Sequence, residues 1–293
     1  MASVQECPAG ESLLAYLQEH VDALADQGQR ARDDKPDSVH QVRIAIRRIG
    51  TALDSYRKLL SSDDRKRLAT ELKWLTGATG PVRDAEVMHK RLTRLVAEEP
   101  EDLVVGPVGA RIDELLGTEF EVGRLKCHEA LESDRYVRLL EALGEFLKDP
   151  TLTSMAQVPA GKILPILIER ERGRLDKAVS KGLLATESVH RDDALHDVRK
   201  RARRLRYAAE VAVPLGLERT DQLMNGAHDL QKILGNQHDS VVIRARLVSM
   251  RAEAEVWGES GFTYGRLHGV EQIRAEESEV SFLRAWKNFP PTL

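Results

Sequence analysis

Aromatic side chains are scarce in this sequence: Phe, Trp and Tyr make up 4% of it. A β-sandwich or barrel usually relies on more of them, so the core must be built from Leu, Val, Ile and Ala. Cysteine is scarcer still. Cys7 and Cys127 lie far apart with no CxxC spacing, which excludes a paired-cysteine zinc site and argues against a disulfide framework. No run approaches the ~20 apolar residues that span a bilayer. The first ten residues lack a basic segment followed by an apolar one, so no signal peptide is expected and the reading is cytoplasmic, with no membrane partner. An excess of basic charge is also missing. With 44 Lys and Arg against 47 Asp and Glu, the net charge is −3, which speaks against indiscriminate coating of nucleic acid but not against a local basic site.

What is present is helix. Leu13, Leu14, Leu17, Val21 and Leu24 recur at helical spacing. Arg30 to Asp37, with Pro36, reads as a loop, and a helix follows from Ser38 to Leu60. Ser62 to Thr76 is expected to form another, ended by Gly77, Gly80 and Pro81, with Asp84 as N-cap of the next, Ala85 to Ala97; Asp84 and Asp239 both read as N-caps that can also orient a neighbouring arginine. Arg111 to Leu147 reads as one or two helices broken near Ser133. Asp149 to Gly161, rich in Pro and small residues, is the best internal boundary. Beyond it, helices are expected over Ile163–Leu184 with Pro165 in the first turn, Ala194–Val213, Leu217–Leu234, Asp239–Trp257 and a last segment holding Phe282, Leu283 and Trp286. Thr186 to Asp193 reads as polar loop, and Gly235 and Asn236 as a break. No strand pattern of useful length appears.

The two halves resemble each other. Ser38-Val39-His40-Gln41-Val42-Arg43 matches Ala194-Leu195-His196-Asp197-Val198-Arg199, and Arg47-Arg48 matches Arg203-Arg204. Farther on, Leu75, Gly80, Asp84, Val87 and Leu92 match Leu230, Gly235, Asp239, Val242 and Leu247, the offset having changed by one residue. This order indicates a duplicated helical unit.

On a helical wheel, Arg43 and Arg47 fall within about 60° of His40, opposite Val42, Ile46, Ile49 and Leu53. In the second copy Arg199, Arg203 and Arg206 share the face of His196, with Lys200 and Tyr207 beside them, opposite Val198, Ala202, Leu205 and Ala209. Solvated faces usually mix signs, because like charges at i,i+4 repel. From His196 to Arg206 there are six Lys or Arg and one acid, Asp197. Arginine offers a planar fork of donors matched to phosphate oxygens. A stripe at i, i+3, i+7 is about 10 Å long and suits a polymer better than a single small anion.

At these residues the sequence resembles the CHAD family, the conserved-histidine α-helical domain. The matching motifs are His40-x-x-Arg43-x-x-x-Arg47-Arg48, its counterpart from His196 through Arg204-Leu205-Arg206-Tyr207, and the elements Gly80-x-x-Arg83-Asp84 and Gly235-x-x-His238-Asp239. The resemblance covers about residues 11–289, after a short N-terminal tail. It implies an all-α fold of two related bundles of about four helices each (11–150 and 160–289) with a basic groove or pore between them. It also implies binding of inorganic polyphosphate and, for some members, association with polyphosphate granules. The expected binding residues are His40, Arg43, Arg47, Arg48, His196, Arg199, Lys200, Arg203, Arg204 and Arg206, extended by Arg83, Tyr207 and His238. Gly50 and Ile44 stand where the second copy has Arg206 and Lys200, so the second stripe is expected to carry more affinity.

Other features stay open. Arg170, Arg174, Lys177 and Lys181 line one face near Glu169, Glu171 and Asp176: a second wall of the site or a mixed solvated face. Arg91 and Arg94 stand the same way. His40 and His196 lack an i+4 histidine or a carboxylate cluster, so neither metal nor cofactor is expected. Nucleic acid competes as a ligand, but its bases want stacking platforms and the stripes carry only Tyr207. A phosphate-transferring enzyme normally needs carboxylates to hold Mg²⁺, which the stripes lack, so the expectation is a binding module, or a scaffold for a phosphate-metabolising enzyme, without catalysis of its own.

Overall fold

The computed structural model describes residues 4–185 and 188–291. Among them are nine α-helices and no strand. The first half contributes α1 (Ala9–Arg32), α2 (Ser38–Ser55), α3 (Ser62–Glu98), α4 (Val108–Glu132) and α5 (Asp134–Lys148). The second contributes α6 (Ala160–Leu184), α7 (Ser188–Glu210), α8 (Glu218–Val256) and α9 (Phe262–Lys287). The duplication shows in the order of lengths. Helices of 24, 18, 37 and 25 residues are followed, after α5, by helices of 25, 23, 39 and 26. The helix with no counterpart is α5. It begins directly after α4, where the Ser133 hydroxyl accepts from the Tyr136 amide at 3.3 Å and caps it.

Several boundaries differ from the sequence expectation. Gly77, Gly80 and Pro81 end nothing: α3 runs through them, with Pro81 inside. Gly235 and Asn236 likewise lie within α8. Asp84 and Asp239 therefore stand mid-helix and cap nothing. Proline in a helix costs one backbone bond, but a long helix packed along its length tolerates it. Pro165 sits in the second turn of α6, which starts at Ala160. The polar stretch from Ser188 to Asp193 is the start of α7, and Thr186 and Glu187 lie outside the described residues. No helix among the described residues is long and apolar enough to cross a membrane.

The helices pack chiefly as sequential neighbours, α3 on α4 and α8 on α9, while α2 and α7 meet across the two halves. Two apolar clusters result, and neither belongs to one half. The larger joins Leu13, Ile49 and Leu75 to Leu164, Leu205 and Leu230. The smaller joins Leu92, Leu95 and Ile112 to Ile243, Leu247 and Leu267. Along α3 the stretch between Val82 of the larger cluster and Leu92 of the smaller leaves Arg83 and Asp84 outside both.

At Gly123, α4 lies directly against the α3 backbone. A Cβ there would lie 2.7 Å from the Val82 nitrogen and 2.8 Å from its Cα. Backbone cannot yield as a side-chain tip can, so Gly123→Ala is expected to destabilise the chain by about 1–3 kcal/mol. Urea unfolding of the two proteins measures it. A change under about 0.5 kcal/mol would mean the two helices separate freely.

Candidate functional site

The apolar stripes read on the wheel are buried as expected: Val42, Ile46, Ile49 and Leu53 on α2, and Val198, Ala202, Leu205 and Ala209 on α7. Their opposite faces meet. His40, Arg43 and Arg47 of α2 and His196, Arg199 and Arg203 of α7 line one cleft of about 600 Å³. α3 adds Arg83, Asp84 and Arg91, and α8 adds His238 and Asp239. Val87, Met88, Val242 and Ile243 supply the apolar part of its lining. Ile243 belongs to the smaller core and Met88 packs against it, so the cleft is floored by the edge of that core.

The glycines that look like helix breakers make room for arginines. Arg43 is 8% exposed and its Nη1 donates to the Thr76 carbonyl at 3.4 Å. A Cβ at Gly80 would come within 3.2 Å of that nitrogen. At Gly235, Arg199 occupies the matching place, its Nε 3.5 Å from where a Cβ would be. The same turn carries Asp84, whose carboxylate stands 3.6 Å from the Arg43 Nη2.

The charges in this cleft do not cancel. Arg83 pairs with Glu86 at 2.8 Å. Arg91 is held by Glu271 and by the Ser240 hydroxyl at 2.6 Å, with Asp239 at 3.9 Å. Arg47, Arg199 and Arg203 have no carboxylate within ion-pair distance among the described residues. Burial, with Arg47 and Arg199 close by, pushes the Arg203 guanidinium down to about 10. Burial lowers Arg199 and Arg43 too, and Arg47 adds to both. All remain cationic at neutral pH.

The histidines are held neutral. The His196 ring stacks on His238, centroids 4.1 Å apart and planes at 28°. Burial, then His238 and Lys200, push His196 down to about 4. Burial also lowers His40, with Arg83 next, and His238, with Arg199 next. The Nε atoms of Arg43 and Arg199 and the Nδ1 of His196 are buried without a hydrogen-bond partner. Buried polar groups left in that condition call for an explanation, and an absent acceptor is the plainest one. The arrangement is a concave, cationic, donor-rich surface.

Several expected residues lie elsewhere. Arg48 turns from the cleft to Glu210 at 2.8 Å. Arg206 joins the same carboxylate at 3.2 Å and meets His228 at 2.9 Å. Tyr207 is buried with both guanidiniums 5.6 Å from its ring centre. Arg204 binds Glu171 at 2.9 Å and also Asp54, and Arg174 completes that group on Glu171. Lys200 is half-exposed, 3.7 Å from Asp197, outside the lining but felt by His196. Arg170, Lys177 and Lys181 lie exposed on α6, and Arg94 pairs with Glu98 at 3.6 Å. With Arg206 and Lys200 outside the lining, the sequence argument for a stronger second stripe loses its ground: α2 and α7 contribute one histidine and two arginines each. Asp84 and Asp239, expected from the sequence as N-caps that also orient a neighbouring arginine, cap nothing but do stand beside Arg43 and Arg91, and their matched positions in the repeat are the signal that joins them.

Comparison with known proteins agrees with this geometry. The CHAD domain family model matches residues 15–248. Uncharacterised proteins from two strains of Mycobacterium tuberculosis are each 32% identical over 272 residues, which is 92% of this chain. The chain spans about half the length of those relatives, 51%. Among solved structures, PptA from Streptomyces chartreusis superposes with a TM-score of 0.78 at 21% identity, covering 96% of this chain and 99% of that one. The CHAD domain from the plant Ricinus communis superposes with a TM-score of 0.72 at 19% identity, covering 99% and 96%. At these identities the two structures speak for the fold.

Proposed function

The chain belongs to the CHAD-domain family, and from that premise we propose that its cleft binds inorganic polyphosphate, in the cytoplasm and at polyphosphate granules, without catalysing a reaction on it. The observation that carries this reading is the trio Arg47, Arg199 and Arg203, without an ion-pair partner among the described residues and drawn from both repeats into one concave surface. Cations buried together without counter-charge destabilise a fold unless a ligand supplies it, and sites so arranged are more often functional than structural. A linear phosphate polymer supplies closely spaced charge along the whole cleft. No Phe, Trp or Tyr is among the lining residues, so a nucleic acid would find charge there but no ring to stack on. The two lining carboxylates, Asp84 and Asp239, each stand within 4 Å of an arginine, which favours binding over metal-assisted transfer.

Titration of the purified chain with long-chain polyphosphate, orthophosphate and single-stranded DNA at about physiological salt tests the reading. Polyphosphate is expected to bind at least about a hundredfold more tightly than either of the others, with affinity falling steeply as salt rises. Equal or tighter binding of DNA would replace polyphosphate with nucleic acid, and phosphate release on incubation with Mg²⁺ would make the chain an enzyme.

A further inference from the structure

We propose that the cleft takes up protons as it takes up its polyanion, the stacked His196–His238 pair and His40 accepting them, so that binding tightens as the pH falls. This rests on the polyanion reading of the same cleft and adds a regulatory property to it. The argument starts from what surrounds each ring. His196 on α7 faces Arg199, Lys200 and Arg203 of its own helix and His238 of α8. His238 faces Arg199 and Asp192 of α7, Asp239 of its own helix and Asp84 of α3. Asp192 is already shared, accepting from the Gln237 amide at 2.7 Å and lying 3.7 Å from Arg244. His40 faces Arg83 and Glu86 of α3, Asp37 just before its helix, and Arg47 of its own helix.

A proton placed on any of these rings in the free protein adds a cation to a ring whose value burial and nearby arginines already lower: Arg199 and Arg203 at His196, Arg199 at His238, Arg83 and Arg47 at His40. On both stacked rings it sets two like charges 4.1 Å apart. A polyanion lying in the cleft reverses that balance: each imidazolium then offers two donors in place of one, and its charge becomes attractive.

The sign follows by linkage. In the free cleft burial and the neighbouring cations lower all three rings from their ordinary value, His196 to about 4. Bound anion raises those values. Between the free and the bound value, each proton taken up strengthens binding by about tenfold per unit fall in pH. The chain would therefore load polymer in acidic surroundings and release it as the pH rises. Asp239, whose carboxyl burial holds above its usual range, would act in the same direction if it were the group that titrates. The test must separate it from the histidines.

The experiment is calorimetric titration of the full chain with long-chain polyphosphate at pH 8, 7 and 6, in two buffers of different ionisation enthalpy. The internal phosphates of a long chain do not titrate in this range, so the ligand's charge stays constant. The dissociation constant is expected to fall at least about tenfold from pH 8 to pH 6, with net proton uptake of at least about half a proton per site. In a His40→Gln/His196→Gln/His238→Gln triple variant both the slope and the uptake should collapse, whatever the absolute affinity. In Asp239→Asn they should persist. Uptake that survives in the histidine variant, or disappears in Asp239→Asn alone, overturns the assignment. Tight binding with one dissociation constant at all three pH values overturns the coupling and leaves the polyphosphate reading standing. Binding at none of them overturns that reading and this proposal with it.

Discussion

Replacing Arg47, Arg199 and Arg203 together by Gln is expected to weaken polyphosphate binding at least about a hundredfold while leaving the chain no less stable. The two halves of that expectation share one cause. In the free protein these guanidiniums form no ion pair among the described residues, Asp239 acting on Arg199 only from beyond ion-pair distance, and burial pushes Arg203 down to about 10. Removing the charges relieves repulsion, and Gln retains part of the aliphatic stem that packs on the helices. With polymer bound, each guanidinium makes charge-assisted hydrogen bonds, each contributing about 1.5–3 kcal/mol. The dependence of log affinity on log salt should also flatten, by about 2 for three lost phosphate contacts on a single-stranded polymer. Titration across salt concentrations and a urea melt read both effects. Affinity within threefold of the unaltered chain would show that this cleft is not the site. A large loss of stability would show that the arginines serve the fold.

Arg204→Ala is expected to do the opposite: cost about 3 kcal/mol of stability with little direct effect on polymer binding. Glu171 is 1% exposed and accepts from the Arg204 Nε at 2.9 Å, while the other arm of Arg204 reaches Asp54. Burial alone would raise the Asp54 carboxyl, yet Arg204 holds it below its usual value, so the pair is coupled through the folded structure. Deleting the arginine leaves one buried carboxylate short of a partner. The loss sits at the lower end of the range for a broken buried pair because Arg174 stays with Glu171. Urea unfolding gives the number, and polyphosphate titration of the same variant separates the two roles. A loss below about 1 kcal/mol, or a binding defect as large as that of the cleft triple variant, would return Arg204 to the binding face.

The contrast between these two variants marks what the sequence could and could not show. Periodicity placed the buried stripes of α2 and α7 correctly, because a 3.6-residue repeat reports which side of a helix meets a core. It also placed His40, Arg43 and Arg47 on one face of α2, and His196, Arg199 and Arg203 on one face of α7, but could not show that the two faces meet. It could not tell an arginine that awaits a ligand from one that has a partner. Glu210 lies 162 residues from Arg48, and Glu171 lies 33 from Arg204 on another helix. Such partners are set by tertiary packing and leave no local trace. The reading of Gly80 and Gly235 failed for a related reason. Glycine in a helix reads as a terminator when only propensity is considered, but here the missing Cβ lets an arginine of the neighbouring helix lie against the backbone. Matched glycines in both copies of a repeat, each a fixed distance before an aspartate, were the available hint that packing was at issue.

The two apolar clusters carry one more consequence. Each takes residues from both halves: α2 and α7, which carry the arginine rows, bury their other faces in the larger, and the edge of the smaller floors the basic cleft. The facing arginine rows are therefore braced from either side by oil-like contacts that would be exposed if the rows drew apart. A surface braced in this way cannot relax to ease its own repulsion, nor does it need to close around what it captures. The work of assembling the charges is done once, during folding, and an arriving chain of anions meets a receptor already in its final shape.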